Sequence, residues 1–217
     1  YFASDREGGF GGTDLYVSTR LSNGKWTAPQ NLGPVINTSG DESCPFMHAD
    51  NETLYFNSNG HQGYGGTDLF LAKKTNEGFT APQNLGYPLN TIDDEGSLFV
   101  TSDASTGFFA SDRADSKGGL DIYSIQLYKS IQPNSSSWVE GRIYDSLTGK
   151  GISGLVEVID LQSKVLISEV EADDNGYYLS ILPLGKNYAF NVSKKGYLFF
   201  SGRFLMKEVV EQKKFIY

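Results

Sequence analysis

Residues 8–33 read GGFGGTDLYVSTRLSNGKWTAPQNLG, and residues 60–86 read GHQGYGGTDLFLAKKTNEGFTAPQNLG. Three separate submotifs keep register between the copies. YF at Tyr1 and Tyr55 becomes FF at Phe108, GG stands at Gly11, Gly65 and Gly118, and TDL at Thr13 and Thr67 becomes LDI at Leu120, with spacings of 54 and 53 residues. APQNLG starts at Ala28 and Ala81, followed each time by an Asn-Thr pair (Asn37-Thr38, Asn90-Thr91) and an Asp-Glu pair (Asp41-Glu42, Asp94-Glu95). A period near 50 residues that holds several short strands is the pattern of propeller blades.

The full copy, residues 41–86, reads as four strands: ESCPFMH, ETLYFNS, TDLFLAKK and FTAPQNL. The first copy begins at the second of these strands with YFASD, and the third has SLFVTS, GFFASD and LDIYSIQLY without a closing WTAPQNLG. About three blades cannot close a ring of four to eight. Further blades are therefore expected before Tyr1 or from another chain, with the missing outer strand of the last blade supplied from the start of the propeller. The strand-like start, without an initiator Met, signal peptide or lipoprotein cysteine, reads as part of a longer chain.

Composition agrees with an all-β chain. The 25 glycines and 13% aromatic residues suit short strands and tight turns. A net charge of -8, with the acids scattered, disfavours nucleic acid as a partner. Cys44 is the only cysteine, which excludes an internal disulfide and a CxxC site. No apolar run approaches the ~20 residues of a membrane-spanning helix, so the chain is expected to be soluble.

The repeated residues read as structural. Glycines in GGTDL are expected to permit positive φ, and Asp14, Asp68 and Asp121 to bond turn amides. Calcium is the weaker reading of these aspartates, because each repeat brings few oxygens together and the ion needs six to eight. Pro29 and Pro82 suit edge positions.

After Tyr128 the pattern changes. Residues 129–137 form a polar linker, residues 138–204 alternate apolar and polar residues in about seven short strands, as in a small β-sandwich, and residues 205–217 form a tail. Asp173-Asp174-Asn175-Gly176 lacks the later Glu of a calcium loop and reads as a tight turn. Tyr177, Tyr178 and Tyr188 read as strand faces, with an exposed sugar platform as the alternative.

The blade pattern, Tyr55-Phe56-Asn57-Ser58, Gly65-Gly66-Thr67-Asp68-Leu69 and Pro82-Gln83-Asn84-Leu85-Gly86 in order, resembles the TolB-type, WD-like propeller repeats of OmpA-family envelope proteins of Bacteroidota. Coverage is residues 1–128. VEGRIYDSLTGKGI, DDNGYYLSILPLG and YAFNVSKKGY, within residues 139–204, are similar to the carboxypeptidase-regulatory-like, transthyretin-like domain. Together these resemblances imply a periplasmic scaffold, associated with the outer membrane, that links an outer-membrane or type IX secretion complex to the cell wall. Envelope and secretion-machinery proteins are the implied partners. Peptidoglycan contact and a lipoprotein signal would belong to segments outside this sequence. Within the same resemblance, Asp145-Ser146-Leu147 matches the O-glycosylation acceptor pattern of that group, with Ser146 as the candidate site and an ordinary turn as the plainer reading.

Catalysis finds little support. Asp5, Asp41, Glu42 and Asp112 are carboxylates a glycosidase could use, yet most recur at equivalent blade positions. His48 and His61 are the only histidines, lie outside any nucleophile motif, and read as surface residues. The chain is expected to be non-enzymatic and to carry no cofactor or metal, with a glycan-binding module as the alternative and a propeller glycosidase or lyase further behind. Loops that differ between copies are expected to display the contacts, which makes Arg6, His61, Tyr64, Arg113 and Lys117 the candidate interaction residues.

Overall fold

The structure is a computed structural model that describes residues 1–21 and 24–206. The tail expected at residues 205–217 therefore lies outside the described residues from 207 onward. The protein is all-β, and a 3₁₀ turn at Lys129–Ile131 is the helical element among the described residues. The chain divides into two compact units, residues 1–133 and 134–217.

Three open sheets make up the first unit, and none of them closes into a barrel. The first holds β1 (Phe2–Ser4), β2 (Asp14–Val17) and β3 (Gln30–Asn31). The second runs β4 (Glu42–Met47), β5 (Thr53–Ser58), β6 (Asp68–Thr75), with β7 (Gly78–Phe79) and β8 (Gln83–Asn84) both on the outer side of β6. The strand read as FTAPQNL is thus two short pieces. Pro82, which has no amide hydrogen to give, falls in the gap between them. The third sheet orders β9 (Glu95–Val100), β10 (Thr106–Ser111) and β11 (Asp121–Gln126), all antiparallel.

Strand period explains how these sheets pack. In β5, Leu54 and Phe56 enter one apolar cluster with Leu15 and Ile36, while Tyr55 between them enters another with Leu98, Val100 and Phe109. In β6 the same division sends Phe70 and Ala72 one way, Leu69 and Leu71 the other. Successive side chains of a strand point to opposite faces, so the middle sheet is apolar on both and is covered on both. Each fully buried residue of this kind contributes roughly 1.5–3 kcal/mol from removal of its surface from water. Ile131, within the segment read as linker, also enters the second cluster, and its carbonyl accepts the Tyr55 hydroxyl at 2.6 Å.

Among its described residues the second unit has six strands where about seven were expected. β12 (Ser136–Arg142) pairs with β15 (Tyr177–Pro183), and β14 (Leu166–Glu171), β13 (Leu155–Asp160), β16 (Asn187–Ser193) and β17 (Phe200–Leu205) form a four-stranded sheet in that order. Residues 143–154 make one isolated bridge, Tyr144 to Gly151, which is too short to be a strand. Tyr178 and Leu182 of the smaller sheet and Val156, Val158 and Tyr188 of the larger share one core.

Candidate functional site

Each repeat folds its turn around an aspartate, buried in the first two copies and half-buried in the third. Asp14 accepts the amides of Phe10 (2.6 Å) and Gly11 (3.1 Å), Asp68 those of Tyr64 (2.9 Å) and Gly65 (3.1 Å), and Asp121 that of Lys117 (2.6 Å). In the first copy Asn31 Nδ2 adds a bond to Asp14 Oδ2 at 2.7 Å. Its counterpart in the second copy stays open: Asp68 Oδ1 and Asn84 Nδ2 are both buried without a partner.

The glycines that precede these aspartates serve a different need from the one expected. Gly11, Gly12, Gly65 and Gly66 do not have positive φ. A Cβ on Gly65 would come within 2.5–2.7 Å of the Ile92–Asp93 backbone, and one on Gly66 within 2.4 Å of Asp94 Oδ1. The next repeat presses directly on the turn, so close approach excludes a side chain. In the third copy no next repeat presses on the turn; Gly118 and Gly119 take φ of 90° and 139° with open space around them.

Beside the apolar clusters, a set of polar contacts recurs where one repeat runs into the next. Asn37 accepts the Leu15 amide (2.8 Å) and donates to the Leu15 carbonyl (3.0 Å); Asn90 does the same to Leu69, at 2.8 Å both ways. Glu42 accepts the Thr38 amide and hydroxyl, each at 2.7 Å, and the Ser58 hydroxyl at 2.6 Å. Glu95 takes the Thr91 amide (3.0 Å), Thr91 hydroxyl (2.7 Å) and Ser111 hydroxyl (3.1 Å). Asp41 and Asp94 accept the amides of Thr13 and Thr67. The two glutamates and two asparagines are fully or almost fully buried, and buried polar groups of this kind must be paired. Reading the repeat as a marker of register missed these roles; the signal was the recurrence of Asn-Thr and Asp-Glu at fixed distance from APQNLG.

The five interaction candidates divide by environment. Arg113 stacks its guanidinium over Phe109 and Tyr123, 4.9 Å from each ring centre, and donates to Ser111 Oγ, Pro88 O and Leu89 O at 3.0 Å. Arg6 has the same place over Phe2 (5.1 Å) and Tyr16 (4.7 Å), with Nε donating to Ser4 Oγ at 3.1 Å. His61 fills this place in the second copy, its ring 6.0 Å from Phe56 and 5.3 Å from Phe70, and Nε2 meeting the carbonyl of Ile36, the counterpart of Leu89, at 2.8 Å. His61 and Arg113 thus clamp one sheet to the sheet before it through an aromatic pair and a carbonyl. Tyr64 and Lys117 occupy one position in their copies, with Phe10 as the third, and all three are exposed. Tyr64 lies near Tyr128, whose hydroxyl is pushed up first by burial and then by the Tyr64 phenol and reaches Tyr87 O at 3.3 Å. Tyr87 itself is 76% exposed.

His48 departs from the surface position expected. It is buried; Nδ1 accepts the Asp50 amide at 3.2 Å, so Nε2 carries the hydrogen and donates to Thr101 O of the third sheet at 3.1 Å. Burial opposes ionisation of Asp50, but the amides of Glu52 and Thr53 and the Thr53 hydroxyl, all donating to its carboxylate, hold the carboxyl well below the usual range. The same charge, after burial, keeps the Tyr55 phenol protonated far above its ordinary value.

Ser146 is exposed in a turn whose Asp145 Oδ1 accepts the amides of Leu147 (2.9 Å) and Thr148 (2.8 Å). In the DDNG turn, Asp173 Oδ1 accepts the amides of Asn175 (2.9 Å) and Tyr177 (2.8 Å). Among the described residues, no three His, Cys, Asp or Glu side chains are grouped to hold a metal ion, and no helix is long and apolar enough to cross a membrane.

No family model and no curated protein matches the chain. Among the solved structures similar to it at a distance are S.CueP and the Bacillus anthracis TIE protein. The crystal structure of S.CueP has 18% identity and a TM-score of 0.28, over 51% of this chain and 70% of that one. The Bacillus anthracis TIE protein has 13% identity and a TM-score of 0.34, over 100% of this chain and 50% of that one.

Proposed function

We propose that residues 1–133 are consecutive blades of a TolB-type β-propeller, residues 134–206 a transthyretin-like sandwich, and the chain a non-enzymatic scaffold of the bacterial envelope. One observation carries the propeller reading. Phe46 and Tyr55 pack into the cluster between the second and third sheets, and Leu69 is fully buried there. Their counterparts one repeat on are uncovered: Phe108 and Ile122 are 41% and 83% exposed, on the face of the third sheet opposite Phe109 and Tyr123, and Phe99, whose ring centre lies 5.1 Å from that of Phe46, is still 53% exposed. That face carries the apolar pattern to receive another sheet of the same repeat, as a ring of blades requires. The outer side of β11 also stands open where β6 carries β7 and β8.

A scaffold fits the rest. Three of the four carboxylates a hydrolase could use are engaged in turns and junctions: Asp41 accepts the Thr13 amide of the first repeat, Glu42 the Thr38 amide of the preceding connection, and Asp112 the Asp94 amide. By resemblance, the nearest role is that of PorE, in the periplasm at the outer membrane, with proteins of the type IX secretion machinery as partners. Cross-linking in native envelopes, followed by purification of the native gene product, tests this. Recovery of outer-membrane or secretion proteins supports it; fractionation away from the envelope with no such partner overturns it. Electron microscopy of the same product should find a ring of four to eight sheets.

Glycan binding is a second reading, favoured by the exposed phenols of Tyr64 and Tyr87 beside Tyr128, since tyrosine faces can stack on sugar rings. A glycan array that is positive for the chain and negative for Tyr64→Ala would put this reading first.

A further inference from the structure

The second unit carries its most exposed apolar side chains on two turns at one end. Leu147 is 94% exposed in the first turn, Leu198 (96%) and Phe199 (63%) project from the connection between β16 and β17, and Phe200 (54%) opens β17. The turns are neighbours: after the Thr148 and Leu147 bonds, the nearby Tyr197 phenol helps hold the Asp145 carboxyl below its ordinary value, and Lys194 Nζ donates to Ser153 Oγ at 3.0 Å. Tyr144 and Tyr197, each about half exposed, lie behind the aliphatic tips. Residues 144–150 and 194–199 contain Lys150, Lys194 and Lys195 against one acid, Asp145, in a chain whose net charge is -8. Asp145 is also turned back on the amides of Leu147 and Thr148.

We infer that this end of the second unit is a docking surface for an anionic lipid bilayer. Four features favour lipid over a protein groove. The apolar residues stand at the tips of turns, where they can enter the boundary between headgroups and acyl chains. Aromatic residues lie just behind them, at the depth where tyrosine is favoured in membranes. Lysines flank the tips, and each basic residue near an anionic surface contributes attraction that salt weakens. Finally, nearly complete exposure of Leu147 and Leu198 has no role in the fold, whereas burial in a bilayer recovers it. The inference is independent of the propeller reading, because all its residues lie in the second unit. A sugar on Ser146 would stand beside Leu147 and hold that turn away from a bilayer.

Sedimentation of the unglycosylated 217-residue chain with vesicles tests this, using phosphatidylcholine alone and phosphatidylcholine mixed with phosphatidylglycerol. Binding is expected to the mixed vesicles, to weaken with salt, and to fall roughly tenfold or more in the double variant Leu198→Asp, Phe199→Asp, from the lost apolar insertion and added repulsion. Both positions are exposed, so the thermal transition should not move; Leu198→Ala, Phe199→Ala provides a milder second test with a loss in the same direction. No binding to either vesicle, equal binding to both, or variants that bind like the parent would overturn the inference. Capture of an envelope protein that requires Leu198, without vesicle binding, would overturn it in favour of a protein partner.

Discussion

Both units hold their sheets together with apolar clusters, and the first adds a recurring set of buried polar junctions that the second largely lacks. Residues 1–133 bury Asn37, Glu42, His48, Asp50, Asn90 and Glu95 between or beside their sheets; in residues 134–206 the buried polar side chains are Ser136, Asp160 and Ser180, and the sheets meet through Val156, Val158, Leu182 and Tyr188. An apolar contact tolerates sliding, because burial does not depend on direction. A side-chain amide that both donates to and accepts from one backbone residue does not. Polar junctions therefore set the register of one repeat on the next, which a two-sheet domain with a single core has less need of.

The largest effects should come from Asn90→Ala and Leu182→Ala. The first leaves the buried Leu69 amide without its partner, while the Leu69 carbonyl keeps the Leu85 amide at 3.1 Å, so the cost is that of one buried group left unpaired, about 1–3 kcal/mol. Denaturant unfolding should move the transition of the first unit. Leu182→Ala, which deletes a fully buried side chain, is expected to cost about 2–4 kcal/mol and to move the transition of the second. If both substitutions shifted one common transition equally, the contrast between the units would fail.

Gly65→Ala sharpens the contrast by adding a single methyl at the junction. Forced against the Ile92–Asp93 backbone, it should destabilise by roughly 1–3 kcal/mol, readable as a lower thermal midpoint. Asp50→Asn tests the polar network through pH. The folded carboxyl of Asp50 is more acidic than the unfolded one, so its stabilisation is complete above the ordinary value of 3.8 and is lost as pH falls below it. The variant should be less stable by about 1–2 kcal/mol at neutral pH, and the gap should close on acidification. The smallest effect is expected from Ile122→Ser, within about 0.5 kcal/mol in this chain because the side chain is exposed. In the native gene product the same substitution should cost far more if a further sheet covers it.

Strand positions were legible because period-two patterns and YF, TDL and APQNLG recur together. What the repeats do to one another was not. The Gly-Gly pair reads as a request for unusual φ, yet at Gly65 and Gly66 the cause is a neighbour some thirty residues away in the chain. Arg6, His61 and Arg113 look like variation between loops; only the shared aromatic seat and the carbonyls of Ile36 and Leu89 reveal that His61 stands in for an arginine. His48 had no sequence signal for burial, since its partner is Thr101 of the following repeat. Tertiary pairing of this sort is invisible to local pattern, although an internal repeat offers a way in: residues that recur outside the strands are candidates for contact between copies.

Cys44, the single thiol, is exposed on β4, the edge strand of the second sheet opposite β7 and β8. In a ring of blades this edge would line the axial channel, whereas in an open stack it would face bulk solvent. Reagent size then becomes a gauge of architecture. A small maleimide should label the native gene product readily, a polymer-linked one should be excluded by a closed ring, and the 217-residue chain should accept both.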